Sequence, residues 1–139
     1  MFLLDTHVWI WTLELETGRI GRRTRRFIDR WAAQDALRVS PVSVFEVSAL
    51  HAAGRLRLAR PLEQWIHAAL DPMGIRLAPL SLDVAVDAGA IGRDVLPDPL
   101  DRLIAATARQ MGATLVTRDS RLLEYAAATG SVRVLNAVR

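Results

Sequence analysis

Three absences narrow the reading of this chain before any motif is sought. It has no cysteine in 139 residues. Disulfides and thiolate zinc sites are therefore excluded, and nothing in the composition argues for an oxidising compartment. It has no lysine either, since all 18 basic residues are arginine. That removes the lysine of a phosphate-binding loop, a Schiff-base lysine and a Ser-Lys nucleophile pair. Finally, no apolar run approaches the ~18 residues of a membrane-spanning helix. The apolar start, Met1 to Leu4, stops at Asp5 and lacks a basic lead, unlike a signal peptide. The expectation is one soluble cytoplasmic domain spanning residues 1–139, with 51% hydrophobic residues to fill one core.

Short apolar runs fit strands at Phe2 to Leu4, Leu37 to Val39, Ile75 to Leu77, Thr114 to Val116 and Val132 to Leu135. Several are rich in Val, Ile or Leu without alternation, as in strands covered on both faces. Between them run helical stripes at spacings of three and four: Phe27, Ile28, Trp31 and Ala32; Leu62, Trp65, Ile66, Ala69 and Leu70; Leu100, Leu103, Ile104, Ala108 and Met111. Strands alternating with helices predict an α/β fold with a mostly parallel sheet of about five strands. Pro61, Pro79 and Pro99 punctuate helix starts, and Gly54, Gly74, Gly112 and Gly130 helix ends. The stretch Phe45 to Ala53 is apolar nearly all round, which predicts a deeply buried helix.

Four carboxylates fall where these strands hand over to helices: Asp5, Glu46, Asp101 and Asp119. In an open parallel sheet, ligands bind outside the carboxyl ends of the strands, so such acids converge although distant in sequence. Converged carboxylates repel one another, and a hard divalent cation bound through oxygen resolves the repulsion. Three of the acids also have a purely local explanation. Ser43-Val44-Phe45-Glu46 reads as a capping box, Asp98-Pro99-Leu100-Asp101 as an N-cap with proline at the first helical position, and Asp119 as the N-cap before Ser120. Asp5 resists that reading best, because a charge at the end of a central strand is expensive to bury unless it is paired or binds a metal.

The order and surroundings of these acids carry a resemblance. Phe2-Leu3-Leu4-Asp5-Thr6-His7-Val8-Trp9-Ile10-Trp11, Val42-Ser43-Val44-Phe45-Glu46, Asp98-Pro99-Leu100-Asp101-Arg102-Leu103-Ile104-Ala105-Ala106-Thr107-Ala108 and Leu115-Val116-Thr117-Arg118-Asp119 resemble the PIN domain, and within it the VapC-type toxins of bacterial toxin-antitoxin pairs. The resemblance spans nearly the whole chain. It implies a three-layer α/β/α fold and a Mg²⁺-dependent ribonuclease, with Mn²⁺ as the alternative cofactor. Asp5, Glu46 and Asp101 correspond to the three central acids and Asp119 to the fourth. Asp5 and Asp101 then hold the metal, while Thr6, Thr117 and Asp98 support the site. The implied partners are an RNA substrate, a small antitoxin protein and a second copy of the chain.

Arginines supply the remaining candidates. Arg22, Arg26 and Arg30 recur every four residues opposite the Phe27 and Trp31 stripe, as an ordinary solvated face, a phosphate track for RNA or a docking face for an acidic antitoxin segment. Arg102 and Arg118 each adjoin an acid and fit either structural ion pairing or a grip on the substrate phosphate. His7, His51 and His67 lack a zinc-binding spacing, and the four tryptophans read as core or dimer contacts. Three other functions remain open: aspartyl phosphoryl transfer, a non-toxin PIN nuclease of RNA processing, and a non-catalytic binding module. The absence of lysine and the four filled acid positions argue against the first and the last.

Overall fold

The computed structural model of the chain describes residues 1–14 and 19–139. Each strand is three or four residues long: β1 (Phe2–Leu4), β2 (Leu37–Val39), β3 (Ile75–Leu77), β4 (Thr114–Thr117) and β5 (Val134–Asn136). The helices are α1 (Thr6–Glu14), α2 (Arg22–Ala33), α3 (Pro41–Ala52), α4 (Leu62–Ala68), α5 (Leu82–Ala90), α6 (Pro99–Met111) and α7 (Ser120–Thr129). All strand pairs are parallel, in the order β3-β2-β1-β4-β5. From β1 the chain first builds outward through β2 and β3, then returns to place β4 on the other side of β1. The order therefore reverses between β1 and β4, and an open parallel sheet has its ligand crevice at such a point.

Successive side chains of a strand point to opposite faces, and the two cores follow that alternation. Leu3 and Leu115 face one core, built with Ile104, Ala105 and Ala108 of α6 and with Leu122 and Tyr125 of α7. Leu4 and Val116 face the other, with Val8 and Trp9 of α1, Ile28 of α2 and Trp65 of α4. This is the expected three-layer α/β/α architecture. Trp9 and Trp65 are fully buried and meet edge to face, 5.1 Å between ring centroids. Their polar edges are satisfied as well: Trp9 Nε1 donates to the Ala69 carbonyl and Trp65 Nε1 to Glu14 Oε1. Burial of side chains this large contributes about 1.5–3 kcal/mol each or more.

Strand and helix positions follow the hydrophobic pattern closely, with β5 displaced to Val134–Asn136 from the expected Val132 to Leu135. Val132 is still buried, but in the α7 core ahead of the strand. The larger correction concerns α3. Only Val42, Ser43 and Val47 of this helix are buried, whereas Phe45 is 62% exposed. The helix touches the core along one narrow stripe, so the apolar residues of Phe45 to Ala53 do not all find a neighbour. Among the described residues, no helix is long and apolar enough to cross a membrane.

Candidate active site

Asp5 lies one residue beyond β1 and is only 8% exposed. Two donors hold its carboxylate from opposite sides of the crevice. The Thr6 amide donates to Oδ1 at 2.8 Å, and the Thr117 hydroxyl, from the end of β4, donates to Oδ2 at 2.7 Å. Burial raises the Asp5 pKa above the ordinary carboxylate value; the Thr117 and Thr6 hydrogen bonds act against it, the Asp119 charge adds to it, and His7 opposes it. Thr117 serves two acids at once, since its oxygen also accepts the Asp119 amide at 3.0 Å. Asp5 and Asp119 are thereby tied through one fully buried hydroxyl.

Glu46 is not the end of a capping box. Helix α3 starts earlier than that reading requires, with Pro41 at its first position and Ser40 as N-cap, whose hydroxyl accepts the Val42 amide at 3.0 Å. Ser43 is left inside the first turn, fully buried, and its hydroxyl pairs with that of Thr6 at 2.8 Å. The pair fixes the start of α1, beside Asp5, to the turn of α3 that precedes Glu46. Ser43 is a site-building residue missed by the sequence reading. A small hydroxyl among Val42, Val44 and Val47 was the available signal, because burying it without a partner is costly.

The acids at the start of α6 divide their roles. Asp98 is the N-cap, and its Oδ1 accepts the Leu100 amide at 2.9 Å. Asp101 stands in the first turn, half-buried. Burial first, and then the charges of Asp119, Asp98, Asp5 and Glu46, push its carboxyl up to about 7. Asp119 does cap α7, as its local reading had it: Oδ1 accepts the Arg121 amide at 2.8 Å. Capping and convergence are thus not alternatives here, since one carboxylate performs the first while its charge reaches the Asp5–Asp101 cluster.

A cleft of about 180 Å³ opens over Asp5 and Asp119, walled by His7, Val8, Trp11 and Arg118. Arg118 and Trp11 meet there as cation and ring. Arg102 is directed elsewhere. It lines the groove between α5 and α6, with a long hydrogen bond of 3.4 Å to the Pro97 carbonyl. Arg22, Arg26 and Arg30 are all exposed on α2 while Thr24 and Ile28 are buried, so they do form one outward face. The N-terminus of α2 docks on the chain following β5, where the Gly21 amide donates to the Ala137 carbonyl. Arg22 therefore lies towards the carboxyl end of the sheet, and Arg30 farther from it.

The donor set is suited to a hard divalent cation. It consists of carboxylate oxygens that repel one another, and no ion pair to Asp5, Glu46, Asp101 or Asp119 occurs among the described residues. Among those residues, no three acids or histidines already surround one point as a finished cage. The carboxylates are electrostatically coupled across the crevice without being closed on a shared position. Cations that retain several waters, as Mg²⁺ does, tolerate such an open set.

The chain belongs to the PIN-domain family, whose profile matches residues 2–128. It is similar to Ribonuclease VapC22 of Mycobacterium tuberculosis (strain ATCC 25618 / H37Rv), 35% identical over 123 residues, covering 88% of this chain and 90% of that protein. Among solved structures, DNA-bound VapBC from Salmonella typhimurium contains a chain matching with a TM-score of 0.67 at 17% identity, over 97% of this chain and 96% of that one. FitAcB from Neisseria gonorrhoeae matches with a TM-score of 0.62 at 25% identity, over 99% of this chain and 98% of that one. The Salmonella match speaks for the fold alone.

Proposed function

We propose that the chain is a Mg²⁺-dependent ribonuclease that hydrolyses RNA phosphodiester bonds, acting in the cytoplasm as the toxin of a VapBC-type toxin-antitoxin pair. The observation that carries the reading is the convergence on Asp101 of Asp5, Glu46 and Asp119 from three other elements, joined by Asp98 at the cap of its own helix, close enough that their charges add to burial in raising its pKa. Such a cluster is a poor structural device and a good cation trap. The relationship to Ribonuclease VapC22 supports RNA as the substrate, and together with the VapC-type sequence motifs it supports a small antitoxin partner. A second copy of the chain completes the expected assembly, and residues 1–139 constitute one domain.

In this reading Asp5 and Asp101 hold the cation, Mn²⁺ being able to replace Mg²⁺, and Glu46 orients the attacking water. Asp119 adds charge from the α7 side. Thr6 and Thr117 keep the Asp5 carboxylate facing the crevice, and Asp98 fixes the first turn of α6 so that Asp101 is presented. When bound, the cation supplies Lewis acidity at the scissile phosphate and makes water a competent nucleophile near neutral pH. No lysine or histidine base is then required.

The test is cleavage of total RNA with and without Mg²⁺, with the cut sites mapped, comparing wild type with Asp5→Asn. Metal-dependent cuts by the wild type alone are expected. Full activity in Asp5→Asn, or none in the wild type, overturns the reading. The reading frame beside the gene separates a toxin from a processing nuclease, because only the toxin requires a small neighbouring protein with a DNA-binding end.

A further inference from the structure

The cleft over Asp5 and Asp119 has one wall of opposite sign. Arg118 sits between the buried Thr117 and the capping Asp119, yet among the described residues it forms no ion pair. Nor does it pair with the neighbouring Asp119, whose Oδ1 accepts the Arg121 and Leu122 amides. The Arg118 guanidinium instead lies 5.4 Å over the Trp11 ring, and its Nη1 donates to the Arg19 carbonyl at 2.5 Å. The Arg19 guanidinium lies 5.7 Å over the same ring. A guanidinium carries five N–H donors in a planar fork. One hydrogen bond and one ring contact leave most of that fork open at an exposed position beside the acids.

This arrangement differs from an ordinary surface arginine in two ways. The side chain is braced on an almost fully buried tryptophan and tied to a main-chain carbonyl, so much of its rotamer freedom is already lost before any ligand arrives. It also supplies cationic charge to a cleft whose carboxylates otherwise repel a polyanion. A braced, half-satisfied guanidinium next to an acidic cluster matches a phosphate group, which accepts its paired N–H donors in bidentate fashion.

We propose that Arg118, braced by Trp11, is the RNA-backbone clamp of this cleft and grips a phosphate beside the Asp5 and Asp119 carboxylates. The inference rests on the ribonuclease reading above. Arg118 contacts substrate and not the reacting water, so its removal weakens binding more than turnover.

Binding of a fluorescent single-stranded RNA oligonucleotide is measured in EDTA over a series of KCl concentrations, and cleavage is measured with Mg²⁺. For Arg118→Gln, about tenfold weaker binding and a matching rise in KM are expected, with kcat nearly kept. The slope of log affinity against log salt becomes shallower by about 0.7, the value for one single-strand phosphate contact. Arg118→Lys keeps the slope. Arg133→Gln, which removes the same charge at a residue bonded to the Gly112 carbonyl below α6, leaves slope and KM unchanged. An unaltered slope and KM in Arg118→Gln, or an equal loss in Arg133→Gln, overturns the clamp while the nuclease reading stands. A wild type that neither binds nor cleaves RNA removes both.

Discussion

The Thr117 hydroxyl donates to Asp5 Oδ2 at 2.7 Å across the β1–β4 crevice, with both residues almost wholly out of water. The same oxygen receives the Asp119 amide. Thr117→Val keeps the shape of the side chain and removes both bonds, leaving a buried carboxylate with one donor fewer. A loss of about 1–3 kcal/mol of stability is expected in urea unfolding, together with lower RNA cleavage, while Thr117→Ser keeps most of each. Equal stability of the Val and Ser variants would show that the hydroxyl does not hold Asp5.

Asp101 makes the metal-free protein pH-sensitive in a defined direction. Its folded-state pKa is raised from 3.8 to about 7, so between those values the folded chain binds more protons than the unfolded one. Stability then falls as pH rises across that window and levels off above it. Asp5 is raised as well and acts in the same direction. Because Asp101 is only partly covered, solvent screening keeps its share modest. Thermal melts in EDTA should show Asp101→Asn gaining on the wild type as pH rises from about 4 to about 7. Added Mg²⁺ should raise the melting temperature of the wild type and do little for the variant.

Most of the sheet was legible because its central strands, β1 and β4, are short apolar runs packed into both cores, and the strands are bounded by residues whose backbone preference is strong. Pro61 and Pro99 stand at helix starts, while Gly112 and Gly130 end theirs in the left-handed region. The acids were legible as a set through their position after strands. Their division of labour was not, because it depends on partners far away in sequence. Ser43 looks like a cap for Glu46 until Thr6, 37 residues away, is seen to take its hydroxyl. Arg102 and Arg118 look equivalent in sequence, each beside an acid, but helical rotation turns one into the α5–α6 groove and the strand end leaves the other over Trp11.

Helix α3 offers a test of where burial resides when apolar residues fall on more than one side of a helix. Phe45 is 62% exposed and Val47 fully buried, two residues apart on opposite sides of the helix. Val47→Ala should cost about 1–3 kcal/mol through lost packing and the space left behind. Phe45→Ala should change the stability of the isolated chain by less than about 0.5 kcal/mol, the range of ordinary surface substitutions. A larger loss for Phe45→Ala in urea unfolding at low protein concentration would contradict this placement of the helix.

Away from the acids, Arg109 of α6 fastens three elements. Its Nε and Nη2 donate to both oxygens of Asp87 on α5, at 3.0 and 2.5 Å, while Nη1 reaches the Tyr125 hydroxyl on α7 and the Ser131 hydroxyl just beyond it. The bidentate bond to Arg109 holds the Asp87 carboxyl below its ordinary value, with burial acting against it and Gln110 assisting. Its contribution is fully present above the unfolded pKa of 3.8 and is lost as pH falls through the lower folded value. With side-chain exposures of 25% for Arg109 and 18% for Asp87, the pair is too sheltered to be replaced freely by water. Arg109→Met should therefore cost about 1–3 kcal/mol, leaving Asp87 with the Gln110 amide alone and removing the guanidinium bond to two hydroxyls. Asp87→Asn should lose stability at neutral pH and show a smaller further loss on acidification. Parallel acid-unfolding curves for Asp87→Asn and wild type would remove Asp87 as the source of that dependence.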